Sequence, residues 1–272
     1  AGVTPAGDLD SGANTANFEI ERWNGSAWNT TTAGARTGTT TQATAITALG
    51  EFAVAEKVAV IPPPGDFNAF ETATAGGAIT GQIYTKLVGT NFSLDVVAIL
   101  TGAQHATFTN TVQVDLVTGS TGGLNCPGTP ATIAGTTQNV NLTGGRGTTG
   151  NFNVASAYPN VRVRVRYPVA SPTVTSCSTD NFAIRPTAFT VTSSNATQTD
   201  SSGTPAIKTG ANFNLTAASV AGYDGTPSID TTQVVGTPTA GTLGGSFGAA
   251  PVATGTATGA SFFYSEAGNI GL

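Results

Sequence analysis

Valine and arginine alternate without a break through Val161-Arg-Val-Arg-Val-Arg-Tyr167. A helix would scatter these residues around its circumference. A strand puts Arg162, Arg164 and Arg166 on one face and the valines on the other. The segment therefore predicts a half-buried β-strand. Shorter alternating runs recur, as in Phe18-Glu-Ile-Glu-Arg-Trp23 and Phe213-Asn-Leu-Thr-Ala217, with turn residues between them. No 3.6-residue periodicity is sustained anywhere. The chain reads as all-β, built of tandem β-sandwich or immunoglobulin-like domains with Gly/Thr-rich loops.

Charge is scarce in the rest of the chain. Only 9% of the residues are Asp, Glu, Lys or Arg, against about 25% in an ordinary globular domain. There is one His, and the net charge is −5. Disorder of the usual kind combines high net charge with few apolar residues, which is not this composition. A pI near 4.7 disfavours nucleic acid as a partner, since phosphates call for clustered Lys and Arg. No apolar stretch approaches the roughly 20 residues of a transmembrane helix, and no signal peptide is recognisable. A first residue of Ala1 rather than Met suggests a processed chain or a fragment.

Punctuation divides the 272 residues. Asn24-Gly25 predicts a two-residue hairpin turn after Trp23, with Ala27-Trp28 opening the return strand. The run Ile46–Glu56 reads as a short helix or a strand, with Gly50 and its β-branched neighbours favouring the strand. Three prolines in Ile61-Pro-Pro-Pro-Gly65 stiffen the chain toward polyproline II and interrupt strand pairing. Strands are then expected at Ile79–Leu87, Phe92–Leu100, Thr111–Val117, Gln138–Leu142, Phe152–Val154 and Val161–Tyr167. A second junction falls at Arg185-Pro186. Beyond it come Ala188–Thr192, Asn212–Ala217, Gln233–Val235 and Ser261–Tyr264. The expected domains are residues 1–60, the tail of an N-terminal extracellular repeat; 61–185, a β-sandwich; and 186–272, an immunoglobulin-like domain that reads as truncated. The strands from Ser261 onward are expected to leave an open sheet edge.

Several of these segments resemble a large bacterial domain of unassigned function. It occurs in MshQ-like proteins that accompany mannose-sensitive haemagglutinin pilus biogenesis. The matching stretches include Phe67-Asn-Ala-Phe-Glu71, Gly81–Phe92, Val161–Pro168, Cys177, Phe182–Phe189, Gly210–Ala217 and Tyr264-Ser-Glu-Ala-Gly268. The resemblance covers roughly residues 62–272. It implies an exported, surface-associated β protein linked to pili or adhesion, and it carries over no catalytic residues.

Few side chains are candidates for a site. Cys126 and Cys177 are the two cysteines, both in polar, turn-like settings. They read as one disulfide, the alternative being two unrelated thiols. Arg162, Arg164 and Arg166 form either a cationic ladder for an acidic partner or a face paired with Asp95 or Asp115 on adjacent strands. Trp23 and Trp28 either pack into the core around the hairpin or offer a sugar-stacking platform. Asp8-Leu-Asp-Ser-Gly12 has alternating oxygen ligands but lacks the distal glutamate of a calcium loop. His105 has no second metal ligand beside it. No nucleophile elbow or carboxylate pair is evident. No cofactor or metal is expected.

These features favour an exported structural or adhesive protein of the bacterial surface, pilus-associated or filament-forming and without catalysis. Its partners would be pilus components, identical subunits or surface glycans. The alternatives are a carbohydrate-binding module using Trp23, Trp28, Tyr84 or Tyr158 and, less well supported, an extracellular hydrolase.

Overall fold

A computed structural model describes residues 14–37, 40–56, 60–194 and 207–272; the Asp8–Gly12 loop lies outside them. The chain divides into two compact units, Ala1–Pro62 and Pro63–Leu272. Every regular element longer than a 3-10 turn among the described residues is a β-strand.

The first unit is a small sheet. Phe18–Trp23 pairs antiparallel with Trp28–Thr30 on one edge and with Phe52–Glu56 on the other. Phe18 and Ile20 are buried on one face. The turn after Trp23 is shifted by one residue from the expected one. Asn24 stands at its corner rather than its centre, donating its N–H to the Ala27 carbonyl at 3.1 Å. The Asn24 Oδ1 accepts the N–H groups of Ser26 (2.9 Å) and Ala27 (3.0 Å). Gly25 takes φ +104° between them. Of the expected strand Ile46–Glu56, only Phe52–Glu56 forms.

The second unit opens where its polyproline segment meets the sheet: Pro64 is buried, and Gly65 N–H donates to the Ile99 carbonyl at 2.9 Å. Two sheets then face each other across one core. In the larger sheet, Asn110–Ser120 pairs along one edge with Tyr158–Tyr167. Its other edge is shared by Gln138–Leu142 and Gly128–Thr132. The smaller sheet contains Asp66–Glu71, Leu94–Leu100 and Arg146–Thr148. Phe67, Leu94 and Val96 from the smaller sheet meet Val112, Val114, Leu116, Val161, Val163 and Val165 from the larger. All of these are at most 1% exposed, so period-two patterning has placed one full face of each strand in the interior. Side chains tie the layers together as well. Asn68 exchanges two hydrogen bonds with Thr179, each 3.0 Å, and Ser176 Oγ donates to the Asp66 carboxylate.

Two expected strands dissolve. Within Ile79–Leu87 only Lys86–Leu87 joins a ladder, parallel to Phe182–Arg185. The rest runs extended but is held largely by side chains. Asn68 Nδ2 donates to the Ile79 carbonyl at 2.8 Å, while the Asp180 carboxylate accepts Ile83 N–H at 2.7 Å and Glu71 accepts Tyr84 N–H at 2.9 Å. Carboxylate and amide groups satisfy much of the backbone here, and the strand Asp66–Glu71 adds one bond, from Glu71 N–H to the Gln82 carbonyl at 3.0 Å. Phe152–Val154 reduces to a single bridge, Phe92 to Phe152. Arg185, expected at a hinge, closes the strand Phe182–Arg185, and its carbonyl accepts Val88 N–H at 2.9 Å.

A separate cluster lies within residues 207–272. Phe213, Leu215, Ala217, Phe247, Ala257 and Phe262 are buried together. Their sheet runs in the order Thr190–Thr192, Phe213–Ala218, Thr256–Tyr264, Leu243–Gly244. This corrects the expected open edge at Ser261–Tyr264 but not at the last strand, Gly268–Gly271, which pairs only with Val235–Pro238 among the described strands. Ser261–Tyr264 belongs to a strand with neighbours on both sides. The sheet ends on one side at Leu243–Gly244 and on the other at Thr190–Thr192, whose three residues are all solvent-accessible and which pairs only with Phe213–Ala218 among the described strands. The segment expected as a strand at Gln233–Val235 is split between the 3-10 turn Thr231–Gln233 and the strand Val235–Pro238.

Candidate functional site

The arginine face of Tyr158–Tyr167 is where the chain concentrates its positive charge. The register sets Asp115 directly opposite Arg164 on one side, and Cys177 directly opposite Arg164 on the other. Arg164 grips both oxygens of Asp115, with Nε to Oδ1 at 2.9 Å and Nη2 to Oδ2 at 2.7 Å. Arg166 adds a third bond to Oδ2 at 3.0 Å. Asp115 is fully buried, whereas the Arg164 and Arg166 side chains keep 14% and 27% of their exposure. One carboxylate thus balances two guanidinium groups at the edge of water.

Arg162 has a different role. Its Nη1 donates to the carbonyls of Ser178 (2.6 Å) and Thr179 (2.7 Å), and its Nε donates to the Ser120 carbonyl at 3.2 Å. The side chain therefore clamps two loops to the sheet. Partial burial pulls its pKa below the ordinary value, opposed by the Asp180 carboxylate. The three arginines expected as a ladder share a face but are drawn inward, toward backbone carbonyls and Asp115.

The cysteines lie beside this face. Cys126 and Cys177 are disulfide-bonded with Cα atoms 4.7 Å apart, within the range a disulfide requires. Both are buried against Val117. The bond pins the Ser120–Gly128 excursion over the outer face of the sheet.

Asp95, the other expected partner of the arginines, is engaged elsewhere. It binds Arg146 Nε at 2.9 Å and Thr148 Oγ1 at 2.6 Å. The Arg146 guanidinium also lies 4.9 Å from the Phe70 ring centroid and donates to the carbonyls of Thr74 and Ala75. Its place in Gly144-Gly-Arg-Gly147 carries no period-two signal, so only its neighbours in space identify its role.

Trp23 and Trp28 are cross-strand partners, with ring centroids 5.6 Å apart and planes tilted by 53°. They do not join the core. Because Phe18 and Ile20 face inward, Glu19, Glu21 and Trp23 must face the other way. Trp28 is 44% exposed. The hairpin keeps the pair at its surface instead of packing it into a core, with Trp23 half-buried beside the exposed Trp28. Of the other aromatics considered for sugar contact, Tyr84 is 63% exposed, while Tyr158 packs against the core.

His105 is buried, its Nδ1 3.3 Å from Thr107 Oγ1 and its ring 5.7 Å from Phe108. Among the described residues no group of three or more His, Cys, Asp or Glu side chains is disposed to hold a metal ion. No described helix is long and apolar enough to cross a membrane. Comparison with family models, curated proteins and solved structures gives no match to this chain.

Proposed function

We propose that this chain is an exported structural or adhesive segment of a bacterial surface protein, pilus-associated or filament-forming, that acts by assembly rather than turnover. The observation that carries the reading is the edge strand Thr190–Thr192. It is short, uncharged and accessible, and it bears the exposed side chain of Val191, with Phe189 exposed just before it. Sheet edges of water-soluble proteins are commonly guarded by short length, lysine, proline or a bulge, and of these the Thr190–Thr192 edge has only its short length. Such an edge offers backbone donors and acceptors to a strand from a pilus component or a second copy. The buried disulfide adds support, because such bonds persist in oxidising, extracytoplasmic compartments.

Val191→Lys tests the reading by placing a charge on the edge while leaving the buried cluster intact. The parent chain should form larger species whose share rises with concentration in sedimentation velocity, and the variant should remain monomeric with an unchanged far-ultraviolet circular dichroism spectrum. A parent chain that stays monomeric, alone and with pilus subunits, would contradict the reading.

A further inference from the structure

The outer face of the first unit's sheet carries a second, chemically distinct feature. Trp23 and Trp28 stand opposite each other at the hairpin end of that face. The next row of the same face holds Ala53, Glu21 and Thr30, in register across three strands. Thr30 Oγ1 lies 3.5 Å from Glu21 Oε1, a distance at the limit of a hydrogen bond that leaves the carboxylate and the hydroxyl able to bind other groups. Ala53 and Ala55 on the neighbouring strand project no more than a methyl group. Among the described residues the rings therefore border a polar surface instead of a filled core.

We propose that this face binds a neutral glycan, one hexopyranose ring seated against Trp28 and its hydroxyls reaching Glu21 and Thr30. Pyranose C–H groups carry slight positive charge and match the negative face of an indole ring. The equatorial hydroxyls need acceptors and donors at the rim, which a carboxylate and a threonine hydroxyl provide. Glu21 makes the face anionic beside the rings, so charge complementarity selects neutral sugars over sialylated or uronic ones. The 53° tilt between the indole planes suits a sugar resting on one ring and abutting the second, not a flat chain lying across both. A cross-strand Trp pair also stabilises a hairpin. That role alone does not call for 44% exposure of Trp28 beside hydrogen-bonding groups on an otherwise small-residue surface.

The test uses a property of this chain: its two tryptophans are both in this site, so intrinsic tryptophan emission reports on nothing else. The full chain is titrated with maltotriose, cellotriose and triacetylchitotriose, with sialyllactose as the anionic control. At least one neutral trisaccharide should shift or quench the emission saturably in the millimolar range, and sialyllactose should not. By calorimetry, Trp28→Ala should weaken binding at least about tenfold and Glu21→Gln about threefold. Trp28→Phe, which preserves an aromatic face and the hairpin, should stay within about threefold of the parent. No saturable response to any neutral sugar at about 10 mM, or an equal response to sialyllactose, overturns the assignment. Binding should be the same in Val191→Lys, so failure here and failure of the assembly reading are separable.

Discussion

Arg164 holds Asp115 by two near-parallel hydrogen bonds, 2.9 and 2.7 Å long, across adjacent strands. The acid is one of two fully enclosed members of its strand's outer face, and it gathers Arg166 and the Thr132 hydroxyl onto the same carboxylate. A paired, bidentate arrangement of this kind is the strongest form of side-chain ion pair.

The first prediction follows from its asymmetry. Asp115→Ala leaves two guanidinium groups without their carboxylate and should lower stability by about 3–5 kcal/mol. Arg166 contributes one bond, its Nε has no partner, and it is the more exposed of the two arginines. Arg166→Ala should therefore lower stability by only about 1–2 kcal/mol. Urea unfolding of the two variants measures the order. An Arg166→Ala effect as large as that of Asp115→Ala would show that the pair does not act as described.

The second prediction concerns Cys126 and Cys177, separated by 51 residues. Thiol titration of the denatured, unreduced protein should find no free thiol. Cross-linking a loop of this length restricts the unfolded chain by about 4 kcal/mol in the chain-entropy model. The midpoint of urea unfolding should fall accordingly on reduction. Both sulfurs are buried, so dithiothreitol should react with the native protein far more slowly than with the unfolded one. Two titratable thiols per chain would rule the bond out.

The third prediction contrasts two glycines in left-handed backbone. Gly122 has φ +89°, and a Cβ there would lie 2.6 Å from Arg162 Nη1 and 2.7 Å from the Ser178 carbonyl oxygen. Gly25 has φ +104° with nothing within 4 Å of such an atom. Gly25→Ala should cost only the backbone term, about 1–2 kcal/mol. Gly122→Ala should cost more, because it also pushes Arg162 off the two loops it clamps, and it should speed reduction of the adjacent disulfide. Equal stability losses in the two variants would mean that Arg162 is not holding those loops.

Local pattern determined a good deal here. The uninterrupted Val/Arg alternation of 161–167 is a strand with its valines at most 1% exposed, because a two-residue period admits one inward face and no other solution. The same logic places Phe18–Trp23, Phe213–Ala218 and the all-β character of the chain. The cysteine pairing was legible because there are two cysteines and one way to join them. Tertiary structure decided the rest. The sequence offered Asp95 and Asp115 alike as partners for the arginine face, but alternation could not choose Asp115, 49 residues from Arg164, nor send Asp95 to Arg146. Ile79–Leu87 has strand-like residues but mostly lacks a ladder, since Asn68, Glu71 and Asp180 satisfy its backbone from afar. Trp23 and Trp28 face water because Phe18 and Ile20 took the inward side of the same strand. The strand containing Ser261 lies inside its sheet, with Thr190–Thr192 and Leu243–Gly244 at the edges, because pairing partners are assigned by the whole sheet. Hydrogen bonding and ion pairing act between residues far apart in the chain, and a period read along the chain does not contain that information.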